Sequence, residues 1–145
     1  MRTGLEIEDL EDFLDEPVVA VLATLRADGS VLLSPVWQEW RDGGFHVWVG
    51  RDDVKANHVR RDPRATIVVA ESRYPMRAVE VRGEARIVEE DGEETAIRIA
   101  SRYVGPENGR AYVTRWGGAV TLRLEPGEIR AWDYRDEAGS METWG

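Results

Sequence analysis

A mainly β protein, a barrel of antiparallel strands with short flanking helices, is the fold this sequence predicts. Three observations lead there. Short β-branched runs recur along the chain, glycine turns such as Asp28-Gly29 separate them, and helical periodicity is confined to an opening segment and two short stretches between strands. A length of 145 residues fits one domain with a single core, expected over residues 1–136 with a loose C-terminal tail at 137–145.

Taken in order, residues 6–15 set Ile7, Leu10, Phe13 and Leu14 at helical spacing and end before Pro17. The run VVAVLATL at 18–25 is apolar and β-branched, as a buried strand would be. Asp28-Gly29 signals a hairpin, and VLLSPVWQEW at 31–40 is its return strand. Pro35 inside that strand marks an edge or a bulge, because proline donates no ladder hydrogen bond. After the turn at 41–44 comes a third strand at 45–50, then a helix over about 53–61 that Asp52 or Asp53 caps and Pro63 ends. Strands follow at 64–70 and at 78–90, the latter alternating cleanly. A helix at 91–104 turns Ala96, Ile97, Ala100 and Tyr103 or Val104 inward. Residues 105–109 read as a loop, 111–116 as a turn of helix or a bridge, and strands at 119–126 and 128–135 close the sheet.

Composition narrows the function. A net charge of -9 repels polyanions and argues against nucleic acid or an anionic membrane surface as partner. The absence of cysteine removes disulfides, thiolate metal sites and a cysteine nucleophile, and two histidines are too few for a histidine-rich metal centre, so no metal is expected. No apolar run approaches the length that crosses a bilayer, and the acidic N-terminus has no secretory core, so the expected location is the cytoplasm.

One segment stands out chemically. Lys55 is the only lysine among 19 basic residues, and it follows Gly50 and Arg51 at the start of the 53–61 helix, with Arg60 and Arg61 at its end. Helix N-termini attract anions, and a cation in the first turn does not complement the dipole, which makes an anionic ligand a natural occupant. The competing reading is a solvated basic face paired with Asp52, Asp53 and Asp62. His58 lies three residues after Lys55, on the same helix face, where it either extends an anion site or is a surface histidine. Pro35, Val36 and Trp37 form either a flat apolar wall or an ordinary edge strand. The six tryptophans suit core packing first, a planar cofactor or an interface second. No residue singles itself out as catalytic.

These pieces, in this order, resemble the pyridoxamine 5'-phosphate oxidase-like split β-barrel superfamily, and most closely its coenzyme F420-dependent oxidoreductase branch. The resemblance covers about residues 10–135 and rests on VAVLATLRADGSVLLSPVWQEW, GFHVWVGRDDVKANHVRRDPRATIVV, VEVRGEARIV and VTLRLEPGEIRAWDY. It implies a split barrel of the FMN-binding type with six or more antiparallel strands. It implies a homodimer with cofactor at the interface, Trp116 or the Arg73-Tyr74 segment being candidates for second-chain contacts. Pro35, Val36 and Trp37 would lie along the cofactor ring, Val49 and Gly50 would bring backbone to its ribityl chain and phosphate, and Arg51 and Lys55 would bind the phosphate. Trp48 and Val49 stand where family members often carry Ser or Thr, and His58 where many carry Asn. These departures favour F420 over FMN, since Arg60 and Arg61 would meet the carboxylates of the deazaflavin's polyglutamate tail. The implied activity is hydride transfer from F420H2 to a small conjugated or heteroaromatic substrate. The alternatives are an FMN-dependent oxidoreductase on the same fold, a cofactor-carrying or haem-binding module without turnover, and a barrel that only mediates protein contacts.

Overall fold

The structure is a computed structural model that describes residues 6–135. Seven strands form one antiparallel sheet: β1 (Ala20–Leu25), β2 (Val31–Val36), β3 (Gln38–Arg41), β4 (Gly44–Gly50), β5 (Arg64–Ala70), β6 (Arg77–Val88) and β7 (Ala119–Asp133). Across the sheet they run β2-β1-β5-β6-β7-β4-β3. β2 and β3 are separated in sequence by Trp37 alone, yet they are the two outermost strands. One residue spans that distance only if the sheet curls until its ends approach, and the result is a half-barrel open along a seam at Trp37. The expected strand at 31–40 is therefore two strands. Pro35 sits near the end of β2, facing Val21 of β1, where the ladder is about to break and the missing N–H costs little.

The core fills the concave side. Leu22, Phe45, Val47, Ile67, Val79 and Leu122 are essentially inaccessible, and all come from alternate positions of their strands. Phe13 and Leu14 join them. They belong to α1 (Glu11–Leu14), which continues a 3-10 turn at Ile7–Leu10 and replaces the longer helix expected over 6–15. No basic residue closes its last turn and Pro17 follows, so nothing extends it.

Two further differences have physical causes. Residues 119–133 form one strand, although Pro126-Gly127 looked like a break. The pairing of β6 with β7 shifts register between Arg82 and Gly83, and Pro126 sits opposite Gly83 in that bulge. A side chain at Gly83 would collide with the Glu125 carbonyl, so the bulge needs glycine.

The stretch expected as loop and bridge after residue 104 is a helix, α4 (Pro106–Trp116), following α3 (Gly92–Val104) directly. Pro106 begins it, where no N–H is required, and Gly109 is no turn residue but a contact. A Cβ there would lie 2.8 Å from the Ser101 backbone nitrogen, so its absence lets α4 press against α3. In α3 the buried side chains are Ala96, Ile99 and Ala100; Ile99 was not among the expected inward positions, while Val104 is exposed. The strand at 18–25, expected to be buried, is covered on one face only: Val21 retains 37% of its accessible surface. Among the described residues no helix is long and apolar enough to cross a membrane. The tail expected at 137–145 lies outside the described residues.

Candidate functional site

The seam at Trp37 opens into a cleft of about 450 Å³, lined by Val19, Pro35, Val36, Trp37, Trp48, Lys55 and Tyr112. Each wall has a separate origin. The end of β2 supplies Pro35 and Val36. β4 supplies Trp48, which lies between the buried Val47 and Val49 and so faces away from the core. α4 supplies Tyr112.

The aromatic walls are held by one another. Trp37 stacks on Tyr103 with ring centroids 5.0 Å apart and planes 10° from parallel. Tyr112 tilts against Trp37 at 5.5 Å, and Trp48 meets Tyr112 edge-on at 5.9 Å. Behind them Ala96, Ala100 and Val113 form a small buried cluster. The Tyr103 hydroxyl accepts the Gln38 N–H at 2.9 Å and donates to the Val18 carbonyl at 2.9 Å. Burial pushes this phenol's pKa up, which keeps it a donor. Arg102 donates to the carbonyls of Gln38 and Leu14. The backbone freed by the break between β2 and β3 is thus satisfied by α3, and Trp37 is fixed in place.

The cleft contains one cation. α2 (Val54–Arg61) begins after β4, with Asp53 as its N-cap. The Asp53 carboxylate accepts the Lys55 backbone N–H at 2.9 Å and pairs with Lys55 Nζ at 3.1 Å through the same oxygen. One carboxylate therefore caps the helix and offsets a cation that would otherwise oppose the dipole. Pro35, Val36, Trp37 and Lys55, singled out from sequence, converge here. Trp48, Tyr112 and Val19 were not foreseen. Trp48 was legible as the outward residue of an alternating strand; Tyr112 was hidden because its helix was not expected.

The remaining candidates lie elsewhere. Val49 points into the core, 3% exposed, and Gly50 ends β4 opposite Ala119. Arg51 is solvated, with Nε 3.3 Å from Glu89 Oε1. Arg60 Nη1 donates to the Arg51 carbonyl at 2.8 Å, and Arg61 Nη2 to the Leu25 carbonyl at 2.5 Å, so both brace α2 against neighbouring segments. His58 is not the surface histidine expected: it is 7% exposed, and its Nδ1 sits 2.9 Å from Thr24 Oγ1. Burial, then the charges of Arg61 and Arg26, hold its pKa below the usual value. Among the described residues no group of three metal-ligating side chains converges.

The profile of the pyridoxamine 5'-phosphate oxidase family matches residues 7–133, nearly all of the described chain. The chain belongs to that family. Solved structures share its fold. A conserved hypothetical protein of Mycobacterium tuberculosis is 28% identical, with a TM-score of 0.76 over 92% of this chain and 88% of the other. A protein described as an F420 reductase is 22% identical, with a TM-score of 0.67 over 82% and 94%. The heme storage protein HutZ from Vibrio cholerae is 18% identical, with a TM-score of 0.67 over 84% and 91%. No curated protein matches. Within one family fold, then, relatives bear names as different as reductase and heme storage, and the side chains of the cleft carry the functional argument.

Proposed function

We propose that this protein is an F420H2-dependent reductase of a small conjugated or heteroaromatic acceptor. The observation that carries the reading is the cleft at the seam: aromatic and apolar walls with a single cation, Lys55, in the lining. That lining suits a flat ring bearing one anionic arm, and about 450 Å³ is within the usual range for small-molecule pockets. A reduced deazaflavin, when bound, supplies a hydride from its ring. The chain's own share is positioning and dryness. Pro35, Val36 and Trp37 would bear on the ring, and Trp48 and Tyr112 would narrow the slot and exclude water. Lys55 would turn from Asp53 to the phosphate. The cleft lining has no carboxylate or imidazole to serve as acid or base, and hydride transfer demands none.

A homodimer belongs to the same proposal. Val21, Val31 and Leu33 project from the convex face of β1 and β2, and Leu33 keeps 64% of its accessible surface. Pro35 continues that face to the cleft, so a second copy seated there would close the slot from outside.

An FMN-dependent oxidoreductase is the second reading, favoured by one observation: Arg60 and Arg61 are tied to backbone carbonyls, which leaves them less free to meet a polyglutamate tail. Parallel fluorescence titrations of the purified protein with F420 and FMN test both. F420 binding tighter by about tenfold or more, followed by F420H2 oxidation on adding an acceptor, is the expected result. Preference for FMN replaces the first reading with the second. Binding of neither removes both.

A further inference from the structure

The convex face carries a second cleft, of about 380 Å³, between outward side chains of β3, β4, β6 and β7 and the first turn of α3. It shares no lining residue with the cleft at the seam. Four guanidinium groups border it, and they differ in how fully they are used. Arg98 holds Glu39 at 2.9 Å. Arg123 pairs with Glu125 and donates to the Asp42 carbonyl at 2.8 Å and to His46 Nε2 at 3.1 Å. Arg41 and Arg86 have only loose pairs, 3.6 Å to Asp42 and 3.7 Å to Glu125, too long for good hydrogen bonds.

Beneath them hydrogen-bonding capacity is unspent. Because Arg123 donates to Nε2, the neutral His46 ring carries its proton on Nδ1. That buried nitrogen makes no hydrogen bond of good geometry, although the Glu39 backbone lies near enough to act on the ring. Thr121 Oγ1 has no hydrogen-bond partner either, on a residue only 3% exposed. Four buried side-chain atoms among the described residues lack hydrogen-bond partners, and two of them belong to this one cleft. Buried polar groups are normally satisfied, so two such groups in one cleft point to a polar occupant. The first turn of α3, whose cap residue Asp91 makes no side-chain hydrogen bond, contributes Thr95 to the wall.

We propose that this cleft binds one small oxyanion, a carboxylate or phosphate group, through Thr121, the Nδ1–H of His46, and the loosely paired Arg41 and Arg86. The Nδ1–H and the two guanidinium groups only donate and the Thr121 hydroxyl can do so, which fits an occupant that accepts. Asp42, Glu90 and Glu125 also border the cleft, which restricts the occupant to a single small anionic group and rejects a polyanion.

The test is thermal unfolding of the full chain against inorganic phosphate and, separately, acetate, at constant ionic strength balanced with chloride. A saturable rise in Tm with one of them is expected, and which one decides between phosphate and carboxylate chemistry. Thr121→Val removes a hydroxyl that has no internal partner, and Arg86→Gln alters an exposed side chain, so both variants should fold; each should weaken the response by about fivefold or more. Lys55→Ala should leave it unchanged. No saturable rise, or a rise that survives both Thr121→Val and Arg86→Gln, or one that Lys55→Ala abolishes, would overturn the proposal. F420 titration of Thr121→Val should match the parent protein, so the fate of this site is read independently of the cleft at the seam.

Discussion

The two ends of the sheet are each an antiparallel pair of consecutive strands, and they are finished differently. At the β3–β4 end, α3 and α4 lie over the convex face, and Trp37 and Trp48 pack against Ala96, Ala100 and Val113. At the β1–β2 end, Val21, Val31 and Leu33 stand in the open. The outward positions differ: Val21, Val31 and Leu33 at one end, against Glu39, Arg41, His46 and Trp48 at the other, so the end that the chain's own helices cover is the more polar one. The difference teaches that an apolar outward face reports a need for cover without saying who provides it. At one end the chain covers itself; at the other the described residues leave the face open, and that is where the proposed second copy would sit.

The strongest way to break the comparison is to strip the covered end. Gly109→Val places a Cβ 2.8 Å from the Ser101 backbone and forces α4 away from α3. A loss of about 3 kcal/mol is expected, read from urea unfolding. At the bare end, Leu33→Glu should leave stability nearly untouched, since the residue is exposed in the single chain, yet weaken self-association by about a hundredfold because each dimer carries it twice. Sedimentation velocity over a concentration series reads this, and an unchanged association constant moves the interface elsewhere.

The seam between the two ends is probed more gently. Lys55→Ala should cost about 1 kcal/mol or more of affinity for the anionic cofactor, measured by fluorescence titration. Asp53→Asn keeps a good N-cap while releasing the lysine from its ion pair. Affinity should rise, by about 0.5 kcal/mol, because a partly exposed pair is weak; a fall would mean that Asp53 positions Lys55 and does not compete for it.

The smallest expected effect concerns pH, and each end contributes one histidine. His58 meets Thr24 of β1, and His46 meets Arg123 beside β4. Burial is the largest cause holding both below the ordinary 6.5. Each is therefore neutral in the folded protein while the unfolded chain gains protons. Their contribution to stability is intact above about 6.5 and is lost as pH falls below it towards the lowered folded values. Urea midpoints should drop between about pH 7.5 and 5.5, and His58→Gln should flatten part of that slope. A flat profile in the parent protein would refute the assignment.

Much of this was legible from residues alone. Alternation exposed the strands, Asp28-Gly29 the hairpin, Asp52 or Asp53 and Pro63 the limits of α2, and the solitary lysine one wall of the cleft. What stayed hidden depended on contacts distant in sequence. Gly109 resembles a turn until Ser101 is seen beside it, and Pro126 resembles a break until Gly83 is seen opposite. His58 reads as surface on its own helix, and only the arrival of Thr24 buries it. Trp37 could not be known as the point where one strand becomes two, because that depends on which partners β2 and β3 choose.

That last feature also has a kinetic side. The β1–β2 and β3–β4 hairpins join residues close in sequence and can form within microseconds. They are nevertheless the opposite margins of the finished sheet, and the strands between them pair over long separations, Arg77 with Asp133 and Gly50 with Ala119. Early local structure therefore leaves the middle unbuilt, and the refolding rate is governed by closure of the large loop that contains α3 and α4. Weakening the Asp28-Gly29 turn, which forms before that closure, should therefore slow folding more than it hastens unfolding, and changes at the β6–β7 bulge should act on the same folding limb.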